Sequence, residues 1–205
     1  MANYSRGGFG SIPPVVKNLL IVNGLVFLAQ YVFEGQGIRL EYWGALWGIG
    51  TGNFKGWQLV TYQFMHGGFT HILFNMFALW MFGSILENFW GARRFFLFYI
   101  LCGIFAGVAQ LLMESNGYAV GASGAIMGLM AAFAYLFPNT ELYIMFIPIP
   151  VKAKYVIPGF MALDIFGSIA PQAGDNVAHW AHLGGALAGL IIVIMWNKTN
   201  RKTLY

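Results

Sequence analysis

The chain has 205 residues, of which 59% are hydrophobic and only 9% charged. Soluble domains carry about 25% charged residues, so a soluble enzyme, a disordered chain and a nucleic-acid binder are all excluded. The net charge of +4 rests on 11 Lys/Arg against 7 Asp/Glu, and in so apolar a chain it bears on orientation in a bilayer rather than on partners.

A membrane-spanning helix takes about 20 residues. Six apolar stretches are readable between polar breaks: 16–33, 68–86, 95–113, 121–137, 155–169 and 179–196. They leave no room for a separate soluble domain, so residues 1–205 read as one all-α membrane domain. No small-residue cleavage site follows the first stretch, which therefore reads as a retained helix. The first connection, 34–67, is poor in charge and rich in Gly, Trp and Tyr, including Tyr42, Trp43, Trp47 and Trp57. That composition suits the headgroup region of the outer leaflet. The third connection, Ser115–Ala122, carries no charge. Non-helical backbone at membrane depth needs protein or water around it, so the fourth helix is expected to start below the outer surface, inside a cavity. The single cysteine, Cys102, lies inside the third stretch and has no partner for a disulfide.

Cations set the orientation. Arg6, Lys17, Arg93, Arg94, Lys152, Lys154, Lys198, Arg201 and Lys202 fall on one side, against Arg39 and Lys55 on the other. Excess Lys/Arg marks the cytoplasmic side, which puts both termini there and requires an even number of spans. Three stretches carry glycines four residues apart: Gly103 and Gly107, Gly124 and Gly128, Gly185 and Gly189. Such spacing lets helix backbones approach closely.

Polar groups inside apolar helices are costly and point to function. His71 and Asn75 lie in the first turns of the second stretch, Ser123 begins the fourth, and His179 and His182 open the sixth. All three stretches descend from the outer side, so these residues share one shallow depth. Four histidines could suggest a metal, but no HExxH pattern is present and no carboxylate shares their helices; no metal and no cofactor are expected. An aspartyl protease needs two membrane aspartates, and only Asp164 qualifies. A serine–histidine pair remains. Serine becomes a nucleophile when an imidazole takes its proton, and the oxyanion then needs donors. Gly121-Ala122-Ser123-Gly124 offers a serine flanked by glycines, while His71 and Asn75 share a helix face and could both donate. With no acid evident as a third member, the expectation is a dyad.

These residues resemble the rhomboid intramembrane serine proteases along about residues 15–196. His71-Ile-Leu-Phe-Asn75 resembles the family's HxxxN motif, Gly121-Ala-Ser-Gly124 its GxSG motif, and Ala181-His182-Leu-Gly-Gly185 with Gly189 its AHxxGxxxG motif. Trp57-Gln58 is similar to an element of the first loop, and Glu87, Gly91 and Arg93 to the turn after the second helix. The resemblance implies the six-helix rhomboid fold, with Ser123 as nucleophile and His182 as general base and acid. It implies oxyanion donors at Asn75, His71 and the Ser123 backbone, and a gate between helices 2 and 5 at Phe74 and Ile157. Met127 stands where some members place an aromatic ring against the histidine. Implied partners are single-span membrane proteins, cut near the outer boundary, and lipid; the alternative is a non-catalytic rhomboid-like protein that binds transmembrane helices. His66 and His179 are expected to have structural or loop roles, and Asp164 to hydrogen-bond near the outer end of helix 5. A bacterial inner membrane is the expected location.

Overall fold

The computed structural model describes residues 12–143, 149–170 and 177–200. Six helices carry the fold: α1 Pro14–Glu34, α2 Phe69–Trp90, α3 Ala92–Met113, α4 Ser123–Leu136, α5 Ala153–Ile169 and α6 His179–Asn200. Each lies on one of the six apolar stretches. α2 runs through a π-helical turn at Leu79–Gly83. Four of the six, α1, α2, α3 and α6, are long and apolar enough to cross a bilayer. The other two are shorter, 14 residues in α4 and 17 in α5. At about 1.5 Å per residue, α4 spans roughly 21 Å of a hydrocarbon layer about 30 Å thick. It cannot reach both surfaces.

Local chemistry sets the helix ends. α1 begins with Pro14 in its first turn, where a missing N–H costs nothing. The Glu87 carboxylate of α2 accepts the free Val15 and Val16 N–H groups at 3.0 and 2.8 Å, an anion at the positive end of a helix. Gly91, at φ 82°, turns the chain sharply from α2 into α3. α3 therefore starts at Ala92, and Arg93 and Arg94, expected in a loop, lie in its first turn instead. Gly121, at φ 129°, delays α4 to Ser123, two residues beyond the expected start.

The first connection is built rather than slack. Short helical turns at Glu41–Gly44 and Gln58–Thr61 flank β1, Leu46–Trp47. β1 pairs antiparallel with β2, Tyr118–Ala119, setting Leu46 opposite Ala119 and Trp47 opposite Tyr118. Gly48 N–H donates to Gly117 O at 3.0 Å and Gly50 N–H to Ser115 O at 2.8 Å, extending the pairing. A long-range ladder of two residues carries no periodic signal, so neither strand was expected. It ties the first and third connections together on one end of the bundle. Tyr42, Trp43 and Trp57 stay exposed there, as the composition of the loop predicts. At the other end β3, Glu141–Tyr143, pairs with β4, Pro150–Lys152, so Lys152 lies in a strand and Lys154 in the first turn of α5.

The core surrounds α4, in which every residue from Gly124 to Phe133 is buried. A helix apolar on all faces belongs at the centre of a bundle, and α3 and α6 flank it. Glycine makes the approach possible. A Cβ on Gly185 would strike the Gly124 carbonyl, and one on Gly189 the Gly128 carbonyl. A Cβ on Gly128 would meet both Cys102 Sγ of α3, at 2.6 Å, and the Gly185 carbonyl of α6, at 2.9 Å. The α4–α6 seam is thus backbone on backbone at two successive turns.

Candidate active site

That seam aligns the two ends that matter. Ser123 stands one residue before Gly124, and His182 one turn before Gly185. Their side chains meet, with Ser123 Oγ 2.8 Å from His182 Nε2. The first turn of α6 is held by α3, where Gln110 Oε1 accepts the Ala181 N–H at 3.2 Å. Both Ser123 and His182 are half-buried.

His71 reaches the same place from α2. A Cβ on Gly121 would lie 2.8 Å from His71 Nε2 and 3.5 Å from Ser123 Oγ. The missing side chain leaves a small space that both residues border. Gly67 N–H donates to His71 Nδ1 at 3.3 Å. An imidazole accepting at Nδ1 carries its proton on Nε2 when neutral, so the donor edge of His71 faces that space. Gly121 is fixed by its own N–H, which donates to Tyr62 O at 2.9 Å. Tyr62 in turn donates its hydroxyl to Gly103 O of α3 at 2.6 Å, and burial pushes its phenol pKa up.

One turn after His71, Asn75 is buried, and its Nδ2 has no hydrogen-bond partner among the described residues. A buried unpaired amide donor costs about 1–3 kcal/mol, so Asn75 Nδ2 is open to an acceptor entering beside His71. His66, just before α2, sets its ring edge-on to His71 at 5.2 Å between centroids. Burial first, then the neighbouring His71, push the His66 pKa down to about 4. It is a neutral wall behind His71, in keeping with a structural role.

Met127 is buried in α4 one turn below Ser123. The expected gate residues sit in different surroundings. Phe74 is half exposed on α2, whereas Ile157 is 1% exposed and packs into the core around α4.

The expectation that no acid stands by the serine–histidine pair is overturned. Asp164 Oδ1 of α5 lies 2.9 Å from His182 Nδ1 and 2.8 Å from His179 Nδ1. The reason is geometric. α5 and α6 pack together at the end where α5 finishes and α6 begins, so a residue 18 positions earlier arrives at the same depth. The sequence does carry a signal for this, since Asp164 is the only carboxylate in its stretch and sits near the outer end. Asp164, His179 and His182 also offer one ligand atom each, all within 4.8 Å of one another, a grouping among the described residues that could hold a metal ion. Both N···O separations are hydrogen-bond lengths, and we read the group as a hydrogen-bonded chain ending at Ser123.

The chain is similar in sequence to known proteins. Residues 53–198 match the family described as Rhomboid domain. The chain is 30% identical over 191 residues to the Rhomboid-like protein 11, chloroplastic, of Arabidopsis thaliana, covering 88% of this chain and 64% of that protein. It is 32% identical over 147 residues to the putative rhomboid protease YdcA of Bacillus subtilis, covering 70% and 69%. To the Rhomboid protein 1, mitochondrial, of Saccharomyces cerevisiae it is 31% identical over 140 residues, covering 65% and 40%. The chain thus spans about two thirds or less of the length of most of the curated relatives it matches. The matched segment contains Ser123, His182, Asp164 and helices α2 to α5 whole, and the chain is a multi-pass membrane protein of the rhomboid family.

Proposed function

We propose that the chain is an intramembrane serine endopeptidase that cuts single-span membrane proteins near the outer membrane boundary. The observation that carries this reading is the 2.8 Å approach of Ser123 Oγ to His182 Nε2 at the top of a helix too short to reach both surfaces. His182 takes the hydroxyl proton as Oγ attacks the scissile carbonyl. The oxyanion meets the Asn75 amide, the donor edge of His71 and the Ser123 N–H, which at the first turn of α4 has no partner within its own helix. His182 then protonates the leaving amine, and later activates water to hydrolyse the acyl-enzyme.

The substrate follows from the same chemistry. A carbonyl within a helix is shielded by its own turn and engaged with the N–H four residues on. Unwinding in lipid leaves backbone groups unsatisfied, at several kcal/mol each. A polar recess below the outer surface lowers that cost, and Gly or Pro in the substrate lowers it further. Entry between α2 and α5 is part of the proposal, with Phe74 on one side; opening would have to uncover Ile157. The cation bias supports cytoplasmic termini, with the site toward the outer face; a bacterial inner membrane is part of the proposal. The name of the Bacillus relative, a putative rhomboid protease, points the same way.

Cleavage of a reconstituted single-span protein, with Gly or Pro near its outer boundary, tests the reading. Ser123→Ala and His182→Ala should each remove nearly all turnover, and the double variant should be little worse. Asn75→Ala should lose about 10²–10³-fold, the usual worth of one oxyanion donor. Unchanged cleavage by Ser123→Ala would refute the proposal.

A further inference from the structure

The serine–histidine pair of the protease reading is Ser123 and His182, yet Asp164 reaches the same imidazole and His179 reaches Asp164. Asp164 is 9% exposed and is the only carboxylate of its helix, a costly place for such a group without a purpose. Its Oδ1 receives both His182 Nδ1, at 2.9 Å, and His179 Nδ1, at 2.8 Å. With Asp164 ionised, the carboxylate only accepts hydrogen bonds, so both Nδ1 atoms then carry protons. For neutral His182 this leaves Nε2 with its lone pair, and Nε2 is the atom facing Ser123 Oγ.

His179 is as deliberately seated. It stands one turn before His182, so both rings point to the same side of α6. On α5, Gly167 lies one turn after Asp164, and a Cβ there would strike the His179 ring. The glycine makes the pocket into which the ring fits. Two bonds from one helix hold the carboxylate of the other, so Asp164 is tied to α6 at two points.

We propose that Asp164 and His179 are positioning residues for His182, fixing it in the Nδ1–H tautomer and balancing the positive charge it acquires when Ser123 attacks. This rests on the protease reading for its catalytic consequence, but not for the tautomer. On proton transfer from Ser123 Oγ to His182 Nε2, the imidazolium keeps its Nδ1 proton, which stays hydrogen-bonded to an unprotonated Asp164. His179 supplies the second bond that holds the acceptor still. Because Asp164 lies on α5, a helix at the edge of the bundle packed chiefly on α6 and α4, the brace also couples the base to the seating of that helix.

Two measurements on the full-length protein decide it. Ring ¹⁵N resonances of selectively labelled histidine distinguish the tautomers, and the four histidines are assigned by replacing each with Asn in turn. His182 should be Nδ1–H in the unmodified protein and should lose that state in Asp164→Asn. On a reconstituted substrate, Asp164→Asn should lower kcat at least about 100-fold, as a mis-set tautomer does in serine hydrolases, with KM within about threefold. His179→Asn should give a smaller loss in kcat, again with KM held. An Nε2–H His182 in the unmodified protein, or an Asp164→Asn enzyme with unchanged kcat, would overturn the inference. If Asp164→Asn does not fold, the spectrum of the unmodified protein alone decides. Failure of the protease reading looks different, as the unmodified protein would then cleave nothing whatever its tautomer.

Discussion

Among the four histidines, His66 is the most enclosed, at 2% exposure. Its backbone is clamped by Gln30 of α1, whose Oε1 accepts the His66 N–H at 3.0 Å and whose Nε2 donates to the His66 carbonyl at 3.2 Å. The ring is pushed to a pKa of about 4 in the folded protein, against about 6.5 in an unfolded chain. Between those values the unfolded state binds more protons. Stability from this group is therefore complete above pH 6.5 and is lost as pH falls toward 4, by up to about 3 kcal/mol. Thermal unfolding in detergent at pH 7.5 and 4.5 measures it. His66→Gln should show a smaller drop than the unmodified protein; an equal drop would mean that His66 does not titrate on unfolding. Residues of this kind were unevenly legible. Ser123, His182, His71 and Asn75 stand out because polar groups in apolar helices are rare and these share one depth. The link from Asp164 to His182 did not, because it depends on how α5 lies against α6, a matter of packing that no spacing within a single helix encodes.

At the scale of helices, the site exists because α4 and α6 touch through glycine. Gly124 and Gly128 face Gly185 and Gly189, and each pair is one turn from the next. Association in lipid relies on such close packing rather than on hydrophobic expulsion. Gly185→Val should therefore drive the two helices apart at the turn that carries Ser123 and His182. Turnover should be lost, and overpacking should cost about 1–3 kcal/mol of stability. Leu187→Val, on the same helix but 57% exposed, should leave both nearly unchanged. Activity and melting temperature of the two variants check this, and a fully active Gly185→Val would show that the seam does not set the geometry. The helices themselves were readable from apolar length and polar breaks. Their ends were less so, because Gly91 and Gly121 act through positive φ values that a hydropathy pattern does not reveal. The β1–β2 ladder was not readable at all, since two residues pair across some seventy positions.

Across the whole molecule, the first and third connections, the serine, the imidazoles and Asp164 gather at one end of the bundle. The turn between α2 and α3 and the β3–β4 hairpin lie at the other. Charge predicts which end faces out. With Cys102 replaced by Ala, single cysteines at Asn53 and Lys198 should react differently with an impermeant thiol reagent on intact cells. Position 53 should label and position 198 should not; the reverse would invert the orientation. The central claim, however, is that Ser123 is an activated nucleophile, and a fluorophosphonate reports on that without knowledge of any substrate. An activated serine forms a covalent adduct, and an ordinary hydroxyl is left untouched. The purified protein should be labelled at Ser123, with labelling abolished by Ser123→Ala and nearly so by His182→Ala. An unmodified protein that takes no label, or a His182→Ala variant labelled as fast as its parent, would contradict the account.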